Sequence, residues 1–154
     1  MVTCTDSEFV SLRTSRGIIK VEKKNMVQFP LGLYGFEDYT DFALFDLKGC
    51  EPFRSMLSIQ EGGPDFVVVE SALIFDDYDP LESIGPIDEI GIGDSVELVI
   101  LTLVTLAENP EEITANLRGP ILLNLTTRKA VQVVLQDEKY STKVPIMSKA
   151  EDNN

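Results

Sequence analysis

The sequence predicts a mostly β fold: a single antiparallel domain, barrel-like or a sandwich, with one short helix. Three observations carry that prediction. The apolar runs are short and rich in β-branched residues, as in Val96–Thr105 and Val131–Leu135. Compact turns such as Lys48-Gly49-Cys50-Glu51-Pro52 and Gly62-Gly63-Pro64-Asp65 separate them, too closely spaced for βαβ units. Only one segment has helical spacing, where Leu81, Ile84, Ile87 and Ile90 recur every third position.

Taken in order, Phe9–Thr14 and Gly17–Val21 read as a hairpin around Thr14-Ser15-Arg16-Gly17. Phe29 to Asp38 holds one proline and two glycines, which forbid a helix or a central strand. Its Phe29, Leu31, Leu33, Tyr34 and Phe36 are too apolar for a free loop, so it reads as an irregular lid pinned to the core or as a partner-facing surface. Phe42–Leu47, Phe53–Ile59 and Phe66–Glu70 follow as strands. Asp76-Asp77-Tyr78-Asp79-Pro80 lacks the spacing and glycine of a calcium loop and reads as a solvated turn. Pro86 to Gly91 is the expected short helix, with proline at its start and glycine at its end.

Val96–Thr105 is apolar on both faces and is expected to be a central strand covered on both sides. Asn109 is placed to cap a single turn opened by Pro110. Ile113–Asn124 follows, apolar and broken once by Gly119-Pro120, which predicts two strands joined at a sharp corner. The turn Thr126–Lys129 leads to Ala130–Gln136, where Val131, Val133 and Leu135 share one face and Gln132, Val134 and Gln136 the other. The whole chain, 1–154, is read as one domain. Segments 1–8 and 147–154 have little to bury and are expected to be flexible.

Composition narrows the function classes. Thirteen Lys and Arg stand against 26 Asp and Glu, a formal net charge of −13. Such a field repels nucleic acid and anionic membranes and attracts basic proteins or cations. There is no histidine, so the commonest general base, metal ligand and nucleophile-activating partner are missing. Cys4 and Cys50 make neither a zinc site nor a disulfide framework and are expected to be reduced. No signal peptide is visible, and no apolar run approaches the roughly 20 residues that cross a bilayer. These features predict a soluble, cytoplasmic, monomeric protein without metal or cofactor. No GxSxG, P-loop, GxGxxG or HExxH pattern occurs, and carboxylate pairs are unspecific in so acidic a chain. The emptiness of that search favours a protein-binding module, with no enzymatic activity. A small-molecule-binding β-barrel, a carboxylate-dependent enzyme and a structural subunit stay open as alternatives.

One set of motifs goes further. Thr114-Ala115-Asn116-Leu117, Pro120–Asn124, Arg128, Gln132 and Tyr140-Ser141-Thr142 stand in one order. Ahead of them come F-P-x-G-L-x-G-F-E at Phe29–Glu37 and D-F-V-V-V-E-S at Asp65–Ser71. Together these resemble the flagellar assembly factor FliW family over roughly residues 14–146. Departures from its pattern are Leu31 for a frequent acidic residue, Tyr34 and Ala72 for prolines, and Arg118-Gly119 for two apolar or small residues. The resemblance implies a non-enzymatic, chaperone-like cytoplasmic protein that binds flagellin. Freed of flagellin, such a protein binds and antagonises the basic translational repressor CsrA, relieving repression of flagellin synthesis.

Partner-binding residues are expected in Phe36, Glu37 and Asp38, in Asp76, Asp77, Asp79 and Glu82, in Glu108, Glu111 and Glu112, and in a solvent-exposed Arg118. Asn116, Gly119, Pro120, Asn124 and Gln132 are expected to be structural, their amides holding backbone at the Gly-Pro bend.

Overall fold

A computed structural model describes residues 9–14, 17–60, 62–83 and 97–146. The helix expected at Pro86–Gly91 and both segments expected to be flexible lie outside those residues. Among the described residues ten strands are present: β1 Phe9–Thr14, β2 Gly17–Glu22, β3 Met26–Gln28, β4 Asp41–Asp46, β5 Arg54–Ser58, β6 Asp65–Glu70, β7 Leu98–Thr105, β8 Thr114–Asn124, β9 Lys129–Gln132 and β10 Val144–Pro145. β1 and β2 form a separate hairpin, which rests on β4 through Val21 and Ala43.

Strands β3 to β9 close into a seven-stranded barrel, because β8 pairs with β7 on one side and with β9 on the other. Closure removes the unpaired edges that an open sheet would expose. Six of the seven seams are antiparallel, as the short turns require. The seventh, β3 against β9, is parallel and consists of Gln28 opposite Lys129. This departs from the purely antiparallel expectation, and parity explains it: an odd ring of alternating strands must have one parallel seam. Arg128 fastens that seam, its carbonyl accepting from the Gln28 N–H at 2.9 Å and its Nε donating to the Met26 carbonyl at 3.1 Å.

Alternation along the strands fills the interior. Val27, Phe42, Leu44, Met56, Val68, Leu101, Ile121, Leu123 and Ala130 point inward with Phe29 and Leu33, all buried. Full burial of a side chain such as Phe29 stabilises by about 2–3 kcal/mol. The hollows described below open at the surface. A second apolar layer covers the outside of β6, β7 and β8, where Phe75, Tyr78, Leu135, Tyr140 and Ile146 pack on Val69, Val104, Ala115 and Leu117. That outer layer is why β7 reads as apolar on both faces.

β8 corrects one expectation. It is a single strand through Gly119-Pro120, not two strands meeting at a corner. Leu101 pairs with Ile121 and Leu103 with Asn116, so Leu117–Pro120 lie opposite Thr102 alone. The extra residues form a wide bulge that bends the strand without ending it. Asn109 caps the turn Pro110–Glu112 as its position suggests, its Oδ1 accepting from the Glu111 N–H at 3.0 Å.

Candidate functional site

A bulge interrupts the ladder, so each of its backbone groups needs another partner. Asn116 Oδ1 accepts from the N–H groups of Arg118 at 3.0 Å and Gly119 at 2.9 Å. Gln132 Nε2 donates to the Gly119 carbonyl at 3.1 Å, and Gln132 Oε1 accepts from the Tyr34 N–H at 3.1 Å. The Tyr78 hydroxyl donates to the Leu117 carbonyl at 2.6 Å. Burial, helped by Tyr140, pushes that phenol well above its usual pKa. Beyond the bulge, Val133 and Leu135 donate to the carbonyls of Pro120 and Arg118. Two amide side chains and one phenol thus do what a ladder would otherwise do.

Close approach favours glycine at 119. A Cβ there would lie 3.0 Å from Gln132 Nε2 and 3.2 Å from Asn116 Nδ2. Asn124 works likewise at the far end of β8, its Oδ1 accepting from the N–H groups of Thr126 and Thr127.

The bulge forms one rim of the barrel mouth. A hollow of about 290 Å³ opens there, floored by Leu33, Phe66 and Leu103 and edged by Asn116, Arg118, Gln132 and Val134. Phe36 leans across it, its ring 5.3 Å from that of Phe66 and edge-on to it. A second hollow of about 270 Å³ adjoins it across Tyr34 and Gln132, lined by Leu31, Glu37 and Val131. Eight large apolar side chains are exposed among the described residues, and four of them, Leu31, Tyr34, Phe36 and Val134, line these two hollows. That concentration is a patch rather than scatter.

The expected partner residues fall into separate groups. Phe36 and Arg118 meet at the mouth, with Glu37 and Asp38 exposed beside it. Arg118 is half-buried, not solvent-exposed, because its Nε is drawn in to the Leu135 carbonyl at 3.1 Å. Asp76, Asp77 and Asp79 are exposed in one loop, with Glu82 in the following turn Pro80–Ser83. Glu108, Glu111 and Glu112 are exposed in another. Neither acidic loop lines the mouth. Among the described residues no group of three or more Cys, Asp or Glu side chains is placed to hold a metal ion, and no helix is long and apolar enough to cross a membrane.

Val134 was missed as a site residue. Its signal was a lone valine between Gln132 and Gln136, on the face of β9 and its extension that Ala130 turns to the barrel interior. Tyr34 and Leu31 were legible as apolar, but burial was the better guess for them.

A family model described as FliW protein matches residues 11–146. The chain belongs to the FliW family. Curated proteins named flagellar assembly factor FliW resemble it along nearly their whole length. That of Leptospira biflexa is 34% identical over 137 residues, covering 88% of this chain and 90% of that protein. That of Clostridium botulinum is 33% identical over 127 residues, covering 82% and 90%. A solved structure, the crystal structure of the flagellar assembly factor FliW, superposes with a TM-score of 0.72 at 27% identity, covering 90% of this chain and 96% of that one. The barrel with its bulged strand is therefore the fold of a FliW protein, and the Asn116–Gln132 constellation stands inside the matched region.

Proposed function

We propose that this FliW-family chain is a cytoplasmic, non-enzymatic flagellar assembly factor that binds flagellin. When free of flagellin, it binds and antagonises CsrA, so that flagellin synthesis is derepressed. Membership of the family over residues 11–146 carries this reading, through relatives named flagellar assembly factors. The surface is consistent with it. A net charge of −13, with exposed carboxylates at Asp76, Asp77, Asp79, Glu108, Glu111 and Glu112, suits capture of a small basic protein. Charge of this kind raises the association rate, while a few desolvated apolar contacts set the lifetime of the complex.

Purified chain immobilised on a sensor tests the proposal with flagellin and CsrA in separate channels. Both are expected to bind at micromolar concentration or below. Raising ionic strength from roughly 0.01 to 0.15 M shortens the screening length from about 30 to about 8 Å, so CsrA association should slow while its dissociation changes little. Replacing Asp76, Asp77 and Asp79 together with Asn should slow CsrA association several-fold and flatten that salt dependence. Binding of neither protein in low salt would refute the proposal.

A further inference from the structure

Past the end of β9 at Gln132, the chain runs on against β8 and leaves an unpaired backbone edge beside the apolar patch of the barrel mouth. Val133 and Leu135 spend their N–H groups on β8. In an extended strand the N–H and C=O of one residue point to the same side, and that side alternates. Val134 therefore presents its backbone groups away from β8, in the same sense as Gln132. On that side β3 covers β9 only where Gln28 meets Lys129. The chain then turns off at Phe29-Pro30, and the next hydrogen bond across the gap is the one from the Tyr34 N–H to the Gln132 side chain. Among the described residues nothing hydrogen-bonds the N–H or C=O of Val134. Val134 is 46% exposed, and Tyr34 and Phe36 are 60% and 39% exposed.

The geometry points to a peptide-docking edge: the mouth takes an extended internal segment of a basic partner protein, paired against Val134. This inference rests on the reading of the chain as a protein-binding factor and deepens it by naming the surface and the form of the bound segment. An unpaired strand edge with apolar side chains on one side calls for another strand, since main-chain hydrogen bonds give affinity and alternate side chains give specificity. The strip from Gln132 to Gln136 accommodates about five residues at roughly 3.3 Å each. The alternate side chains of the segment facing Phe36, Phe66 and Leu103 should be apolar.

Charge decides what flanks them. Glu37 and Asp38 are exposed on one bank, and Asp137 and Glu138 follow the strip on the other. Among the described residues three cations stand near these four: Arg118, whose Nε donates to the Leu135 carbonyl, Lys139, paired with Asp137 at 3.7 Å, and the exposed Lys143 after Thr142, so the rim stays acidic by one charge. Lysine or arginine on either side of the apolar stretch meets that rim. A second copy of this chain, with its own net charge of −13, does not.

Amide NMR titration of the full chain tests this with two synthetic peptides. Both alternate valine and threonine; one has lysines at each end and the other glutamates. The lysine peptide should move the amides of Tyr34, Arg118 and Val134 most, and the glutamate peptide should bind at least about tenfold more weakly. Val134→Arg should weaken the lysine peptide at least about tenfold, whereas Ile18→Arg, at an exposed apolar position on the β1–β2 hairpin, should not. Shifts confined to the acidic loops, no shifts at millimolar peptide, or unchanged binding to Val134→Arg would each overturn the inference. The titration uses neither flagellin nor CsrA. Failure of those proteins to bind would remove the proposed function while leaving this readout intact, and a negative titration beside successful binding would remove only the edge.

Discussion

Gly119→Ala is the sharpest perturbation the bulge offers, because it adds one carbon where two amides converge. The new Cβ would stand 3.0 Å from Gln132 Nε2 and 3.2 Å from Asn116 Nδ2. Neither neighbour moves freely. Gln132 is held by its bonds to the Gly119 carbonyl and the Tyr34 N–H, and Asn116 by those it accepts from Arg118 and Gly119. Relief by movement sacrifices at least one of these bonds, worth about 1 kcal/mol net. Relief by compression costs about 1–3 kcal/mol, as for other overpacked sites. The expected loss is about 2 kcal/mol, which lowers Tm by about 4–8 °C in a domain of this size. Urea unfolding at neutral pH measures it. The cause is checked by a cycle with Gln132→Ala, which removes the nearer amide. In that background Gly119→Ala should cost about 1 kcal/mol less. A Gly119→Ala protein within about 0.5 kcal/mol of the parent would refute the close-approach argument, and additivity in the cycle would refute the role given to Gln132.

Two other changes probe the hydrogen bonds that replace the ladder. Asn124→Ala removes the acceptor for the Thr126 and Thr127 N–H groups and should cost about 1–3 kcal/mol in the same urea assay. Tyr78→Phe should cost about 1 kcal/mol at neutral pH through the lost bond to the Leu117 carbonyl. Tyr78 also has a pH signature. Its folded pKa is raised by burial, with Tyr140 adding to it, so the unfolded chain releases the phenolic proton first. Its contribution is complete below the ordinary value of 10.0 and declines as pH rises above that value toward the folded pKa. Parent stability measured by urea between pH 8 and 11 should therefore fall, and Tyr78→Phe should fall less steeply.

What could be read from the sequence divides along the physics of local and non-local structure. Strand existence was legible wherever composition and alternation agreed, as in β4 to β7, because both are local. β3 and β10 were not. Met26–Gln28 and Val144–Pro145 are too short to show a period, and they are strands only because Phe42 and Ala115 lie opposite Val27 and Val144. The Gly119-Pro120 break was visible, but not that one strand passes through it, because that depends on Thr102 standing alone across the bulge. Asn116, Asn124 and Gln132 were legible as amides too polar for their surroundings. Their partners were not, since the Tyr34 N–H that meets Gln132 is 98 residues away in the chain. The mouth was the least legible of all, because its members come from six separated stretches of the chain and its apolar ones each look like an ordinary core residue.

The bulge and the mouth can be separated by what their residues are committed to. Asn116, Gly119 and Gln132 are committed to the bulge and leave little freedom for substitution. Leu31 and Tyr34 both line the mouth, and Arg118 edges it. If the mouth selects partners, Leu31, Tyr34 and Arg118 are placed to tune that selectivity. Leu31→Glu tests that claim with little risk to the fold, because the side chain is 56% exposed and a surface change of this kind stays within about 0.5 kcal/mol. It adds a carboxylate beside Glu37, so a lysine-flanked segment should bind several-fold more tightly in low salt and gain less at high salt. Tyr34→Pro is the contrasting case. It deletes the N–H that donates to Gln132 Oε1, so it should cost about 1 kcal/mol as well as altering binding. If Leu31→Glu leaves affinity and its salt dependence unchanged, the mouth is not where partners are chosen, and the exposed apolar residues there must be explained as a lid.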